Sequence, residues 1–389
     1  MCQKHETPLH PSFVPYRLAA SYIREQLQSS TTEAQLPVLG IICGSGLSGL
    51  SSALTNTTMI PYESIPGFPK KCTVMGHKGE IVFGLLSGVP CVCFRGRFHW
   101  YEGHPMNTVV LPVHVMRSLG VKVLIVTNAA GGLNGKFNVG DIVNIMDHFA
   151  LPMLGGMNPL VGPNDDELGP RFPPTSNAYD SNFQNLVLEA SSNLGLSDFV
   201  RTNGMYCFVS GPQYESKAEC KFLLQAGGDA VGMSTVPEIV AAHHCGIKIM
   251  CLSLITNKVV MPYDGDDDGE KSNHASHEEV LDAVNKRSEQ VQGLVKEIAR
   301  LLEHDGVLKG LPDLPPINLD VGRVMISQES SISGNDVSIV PNEKKTRAAS
   351  FCPFRIMKGI LNAPAHCVVI GGAMITIGAL FGATMGRRK

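Results

Sequence analysis

The sequence predicts an α/β protein, with apolar strands in a buried sheet and helices between them. Three observations carry this reading. Val121, Val123, Leu124, Ile125 and Val126 form an almost unbroken apolar run rich in β-branched residues, the signature of a strand covered on both faces. Comparable runs elsewhere stop abruptly in small or polar residues: Gly44-Ser45-Gly46 after Ile41-Ile42-Cys43, Arg97 and His99 after the run from Val89, and Thr256-Asn257 after the run from Ile247. Helical spacing fills the intervals, over Leu18–Leu27, Thr108–Leu119, Ser181–Leu194 and from His277 to about Glu303.

Composition narrows the class. The chain has 389 residues, 43% hydrophobic and 17% charged, typical of a globular protein. Its formal charge of -3 makes no electrostatic case for nucleic acid as a partner. The 11 cysteines are odd in number and include no C-x-x-C pair. They read as buried thiols in a reducing compartment, and no metal site is expected. Residues 1–17 form a loose arm without the apolar core of a secretory signal, so the folded part is expected in the cytoplasm.

In chain order, the first strand runs into Gly44-x-Gly46-x-x-Gly49. A dinucleotide site would need an acid at the end of a second strand about 20 residues on. Glu63 falls near that distance but in a Pro-rich loop, so the turn reads as a phosphate cradle. Gly76 to Glu80 forms a hairpin turn. Arg95 to His104 gathers Arg95, Arg97, His99, Tyr101, Glu102 and His104 around the only tryptophan, Trp100. Charges after a strand end are where α/β proteins bind ligands. The strand from Val121 ends in Asn128-Ala129-Ala130-Gly131, where backbone N–H groups can approach an anion. Leu151 to Pro174 is a long loop, a length that favours a functional or interface role. Further strands end near Glu215 and Ser234. The acidic stretch from Asp264 lacks the closing glutamate of a calcium loop.

From residue 304 the composition changes. Residues 304–363 are rich in Pro, Ser and charge and read as a disordered linker. Residues 364–389 form an apolar helix, in which 367–385 carry no charge and three basic residues follow. That length suits a tail anchor in a membrane; a buried or free tail is the alternative.

The strand-end groups fall into two sets. Ser45, Arg97, His99, the Ala129 N–H and Ser234 are donors that suit phosphate. Glu215 and Asn257 suit the edge of a heterocycle, with Tyr206 and Tyr214 placed for stacking. No Walker lysine and no nucleophile elbow is visible.

These residues resemble the trimeric, 6-oxopurine-specific purine nucleoside phosphorylases, from about Val14 to Glu303. The resemblance rests on Gly44-Ser45-Gly46-Leu47, Arg97-Phe98-His99-x-Tyr101-Glu102-Gly103, the stretch Thr127 to Asn134, Ser210-Gly211-Pro212-x-Tyr214-Glu215, the stretch Val231 to Glu238, and Leu254 to Lys258. It implies one domain over 18–303, with a central mixed β-sheet partly closed into a barrel and flanked by helices, in a homotrimer. It implies phosphorolysis of inosine, guanosine and their 2′-deoxy forms, with inorganic phosphate as co-substrate, no cofactor and no metal. Ser45, His77, Arg97, His99, Ala129 and Ser234 would hold phosphate. Tyr101 and Met233 would contact ribose; Glu215 and Asn257 would bind the base. Thr256, Ala130, Gly131, Tyr206, Tyr214 and Val231 would surround the nucleoside, and Phe172 would reach into a neighbouring subunit's site. His277 or His274 would meet the ribose 5′-hydroxyl; the helix start favours His277. Competing readings are a 5′-methylthioadenosine phosphorylase, a dinucleotide-dependent oxidoreductase and a membrane-tethered binding protein without catalysis.

Overall fold

The computed structural model describes residues 9–29, 35–261 and 277–321. The chain divides into a unit of residues 1–330 and a second of 331–389. That second unit, and with it the expected apolar helix, lies outside the described residues, as do His274 and the acidic stretch from Asp264.

Nine strands form one sheet among the described residues: β1 (Leu39–Ile42), β2 (Thr55–Pro61), β3 (Glu80–Leu86), β4 (Val89–Phe94), β5 (Val123–Gly132), β6 (Ile142–Ala150), β7 (Val200–Phe208), β8 (Ala230–Gly232) and β9 (Lys248–Lys258). Their order is β2-β3-β4-β1-β5-β8-β7-β6-β9, and β5 pairs with β9 as well. That last pairing closes β5, β8, β7, β6 and β9 into a ring, while β1 to β4 extend from it as an open wing. The sheet is mixed: β5 runs parallel to β1 and β9 but antiparallel to β8. The expected part-closed mixed barrel is present.

β5 is the hub because it is apolar on both faces. Val123, Leu124, Ile125 and Val126 are fully buried, with β1 and β9 on either side. Val284, Val291, Leu294 and Ile298 of the helix His277–His304 share one core with Val123 and Ile125. Val113, Val115, Met116 and Leu119 of the helix Leu111–Leu119 share another with Leu124 and Val126. Burying such a side chain contributes about 1.5–3 kcal/mol, so β5 is held from both sides before any polar contact is counted.

The ends of the folded region differ from the sequence expectation. The first helix starts at Val14, and Tyr16 and Arg17 are buried in it. Arg17 forms an ion pair with Asp165 at 2.5 Å and donates to the Asn318 carbonyl at 2.9 Å. The chain also stays on the body past residue 303, where a linker was expected. Leu308 and Ile317 are buried, and Arg117 donates to the Pro315 carbonyl at 2.7 Å. Proline and charge mimic a linker in composition, but the buried arginines supply partners for backbone carbonyls that a Pro-rich segment cannot satisfy internally. Among the described residues, no helix is long and apolar enough to cross a membrane.

Candidate active site

The strand ends converge on one cavity of about 510 Å³. Its floor is Ala129, Ala130 and Gly131 of β5. Ser45, His99, Tyr101 and Ser234 border it together with Met233, Glu215, Tyr214, Val231, Thr256 and Asn257. Strands and their connecting segments therefore bring most of the expected residues to one place.

The anion-suited side is tightly tied to β5. The Gly44 N–H donates to Thr127 Oγ1 at 3.1 Å. A side chain on Gly44 would meet the Asn128 Cα at 2.7 Å, so this glycine serves close approach to β5. Ser45 Oγ lies 3.3 Å from His77 Nε2, and the His77 and His99 rings are 5.3 Å apart. Arg97 does not border the cavity. It is buried behind Ser234, donating to Ser234 Oγ at 3.1 Å and to the Thr127 carbonyl at 3.0 Å. Its guanidinium is also paired with Glu238, itself buried, Nη2 to Oε2 at 3.1 Å. Burial pushes the Glu238 carboxyl above its ordinary range, and the Arg97 charge pulls the other way.

His99 is fixed from the side away from the cavity. Its Nδ1 lies 2.8 Å from Glu102 Oε1, and its backbone N–H donates to the same oxygen at 3.0 Å. The other oxygen of Glu102 accepts from the Thr73 N–H at 3.1 Å and from the Thr73 hydroxyl. Burial lowers the His99 pKa, against the Glu102 hydrogen bond, which raises it. With Nδ1–H committed to Glu102, the neutral ring presents an Nε2 lone pair. That nitrogen can accept from a protonated phosphate oxygen, and as imidazolium it can donate to an ionised one. Tyr101 stacks on the His99 ring at 4.6 Å.

The opposite wall carries Glu215, Thr256 and Asn257. Burial raises the Glu215 pKa. Thr256 Oγ1 lies 3.3 Å from the Ala130 carbonyl and 3.2 Å from Asn257 Oδ1, so it bridges floor and wall. A side chain on Gly131 would come within 3.4 Å of Asn257 Nδ2 and 3.1 Å of Val259. Glycine here keeps the floor open beside Asn257.

Other expected residues lie elsewhere. Tyr206 is fully buried, with its hydroxyl where a side chain on Gly232 would fall, so it supports the wall from behind. The Asn128 side chain turns from the cavity to Thr235 Oγ1, at 3.0 Å. Phe172 is 87% exposed on the long loop. His277 begins the last long helix; its side chain lies outside the described residues.

Sequence reasoning gave no role to Thr73, Glu102 or Glu238, nor to the lining residues Val74, Met75, Pro212, Gly232 and Val280. A signal existed for two of them. Glu102 follows His99 by three residues, and Glu238 stands in the first turn of the helix after Ser234. An acid three residues after a functional histidine is a candidate for orienting it.

The phosphorylase superfamily model matches residues 38–300. The chain belongs to the phosphorylase superfamily, in its purine nucleoside phosphorylase branch. The purine nucleoside phosphorylase of Bos taurus is 47% identical over 261 residues, covering 67% of this chain and 88% of the relative. Two crystal structures of the Schistosoma mansoni purine nucleoside phosphorylase superimpose with a TM-score of 0.67 each. The complex with adenosine is 44% identical and covers 74% of this chain and 96% of that one. The complex with inosine is 41% identical and covers 77% and 98%. The matched span contains every strand of the sheet.

Proposed function

We propose that this chain is a purine nucleoside phosphorylase, a pentosyltransferase acting on inosine, guanosine and their 2′-deoxy forms. It transfers the (deoxy)ribosyl group to inorganic phosphate, releasing the free purine and (deoxy)ribose 1-phosphate, reversibly, in purine salvage. One observation carries this: an anion-suited set (Ser45, His99, Ala129, Ser234) and a purine-suited set (Glu215, Asn257) face one cavity across a floor without bulky side chains.

The chemistry follows from that separation. As the glycosidic bond breaks, electrons move onto the purine and the sugar becomes cation-like. Asn257 Nδ2 donates to the purine N7 as charge builds there, a bond strongest in the transition state. Glu215 accepts from N1–H of a 6-oxopurine. Adenine lacks that hydrogen and leaves the carboxylate unpaired, which discriminates by rate. Phosphate, held by Ser45, His77, His99, Ser234 and the Ala129 N–H with Arg97 behind Ser234, attacks the anomeric carbon from below and stabilises the cation-like sugar. Tyr101 and Met233 flank the ribose, and His277 meets its 5′-hydroxyl. The reaction draws on no cofactor or metal beyond phosphate as co-substrate.

The same proposal includes a homotrimer. Leu154, at the end of the short helix Leu151–Leu154, and Val161 and Phe172 in the segment that follows are all exposed, the kind of apolar surface that a second copy covers. It also includes a catalytic unit in the cytoplasm tethered to a membrane through residues 367–385, on the uncharged length of that run. The central test is phosphate-dependent release of hypoxanthine from inosine. No release, or a preference for methylthioadenosine, overturns the proposal.

A further inference from the structure

Arg97 is more constrained than a phosphate-binding arginine needs to be. Nε lies 3.2 Å from Glu238 Oε1 and Nη2 lies 3.1 Å from Oε2, while Nη2 also donates to the Thr127 carbonyl at 3.0 Å. Nη1 donates to Ser234 Oγ at 3.1 Å. Since Ser234 borders the cavity, the Nη1 edge is the one turned toward the cavity wall. Arg97 and Glu238 are 2% and 1% exposed, so their interaction is little screened by solvent.

Ser234 is held in turn. Thr235 adopts φ +77, an unfavourable backbone for a β-branched residue. Its hydroxyl is 3.1 Å from Ser234 Oγ and takes the hydrogen bond from Asn128. Glu238 stands in the first turn of the helix that follows Thr235, so one short segment supplies both the hydroxyl at the wall and the carboxylate behind it.

We propose that Glu238 is a positioning residue and resident counter-charge for phosphate. It tethers the guanidinium so that Nη1 faces Ser234, and its negative charge offsets the charge of Arg97. An incoming anion at Ser234 then lies in the field of a restrained, partly neutralised cation one layer back, which limits how tightly phosphate is held. This inference rests on the reading that the Ser45–Ser234 side of the cavity takes phosphate.

Charge and geometry separate in two substitutions. Glu238→Gln keeps an oxygen for Nε but removes the charge. Glu238→Asp keeps the charge but withdraws the carboxylate by one methylene, so it no longer spans Nε and Nη2. Calorimetric titration of inorganic phosphate into the full-length chain reads both. With Glu238→Gln, phosphate Kd should fall roughly threefold or more, because an unopposed cation then stands behind the Ser234 that holds the anion. With Glu238→Asp, phosphate Kd should rise, and inosine binding should stay within about twofold in both variants. Unchanged phosphate affinity in the variants, or parallel weakening of phosphate and inosine, overturns the inference and makes the pair merely structural. If Glu238→Gln does not fold, Glu238→Asp decides alone: selective loss of phosphate supports the proposal, and no loss overturns it. A wild-type chain that binds phosphate yet releases no hypoxanthine would overturn the proposed reaction and leave this inference standing.

Discussion

Asn257 pairs with Gly131 across β9 and β5 at a break in register, because Ala130 faces Ile255 and Thr256 is the extra residue. Successive strand residues point to opposite faces. A bulge at Thr256 relaxes that rule, and both Thr256 and Asn257 border the cavity. The donor proposed for the leaving base therefore depends on a local irregularity in an otherwise regular parallel pair.

Replacing Asn257 by Ala should lower kcat/KM for inosine by about 10²–10³-fold, mostly in kcat, if the bond forms chiefly in the transition state. Gly131→Ala tests the same geometry from the other strand. Its methyl would press on Val259 at 3.1 Å and Val231 at 3.3 Å and only touch Asn257 Nδ2 at 3.4 Å, so it shifts the surroundings of Asn257 without removing a donor and should produce a smaller loss in the same parameter. Steady-state kinetics of both variants check this; unchanged kcat in Asn257→Ala removes Asn257 from the mechanism.

Glu215 should govern both base choice and the acid limb of activity. Burial raises its pKa, and only the carboxylate accepts from N1–H. Inosine turnover should therefore fall on acidification at a higher pH than an ordinary glutamate would give. Glu215→Gln should remove that limb. It should also narrow the inosine-to-adenosine ratio of kcat/KM by about 10²-fold or more.

Glu102 links His99 to Thr73, and its carboxyl is pushed down to about 2: burial acts upward but is outweighed by hydrogen bonds from His99 and Thr73. A carboxylate with a depressed folded pKa stabilises above its unfolded value, here 4.5, and that contribution fades as pH falls toward 2. Glu102→Gln should cost on the order of 2 kcal/mol at neutral pH, with the gap closing as pH drops through that window. Denaturant melts at several pH values read this. A gap that stays constant with pH would show that the carboxylate charge contributes nothing.

Much of this is legible in the sequence, and the reasons are local. β5 announces itself because a strand buried on both faces must be apolar throughout, and its small residues end it where a ligand needs room. The ring closure through β5 and β9 is not legible from periodicity; it came with the family resemblance, since pairing partners far apart in sequence leave no local pattern. β2 went unseen because Thr55, Asn56, Thr57 and Thr58 are polar and its face is largely exposed. Arg97, placed by motif at the phosphate, stands one layer back because only three-dimensional packing shows that Ser234 intervenes. Glu102 and Glu238 had no assigned role for a related reason: each acts on another side chain, and the sequence shows the acid without showing its partner.

The C-terminal boundary offers a last test, since composition and packing disagree there. Composition alone would end the folded unit at 303, but Ile317 is 5% exposed and the Asn318 N–H donates to Glu167 at 2.9 Å. Asn318 also receives Arg17 at its carbonyl, and Arg117 binds the carbonyl of Pro315. A chain ending at Leu311 loses the Ile317 burial and leaves two buried guanidinium groups short of an acceptor, a cost of roughly 3 kcal/mol or more. A chain ending at Val321 keeps all of these contacts. The two truncations should therefore differ in thermal stability, with the longer one matching the full-length chain. The pair also isolates the proposed tether. If residues 367–385 hold the protein at a membrane, the full chain should sediment with vesicles while the chain ending at Val321 stays in the supernatant with its phosphorolysis intact. Equal partitioning of the two would eliminate the tether, and equal stability of the Leu311 and Val321 chains would return residues 312–321 to the linker that their composition suggests.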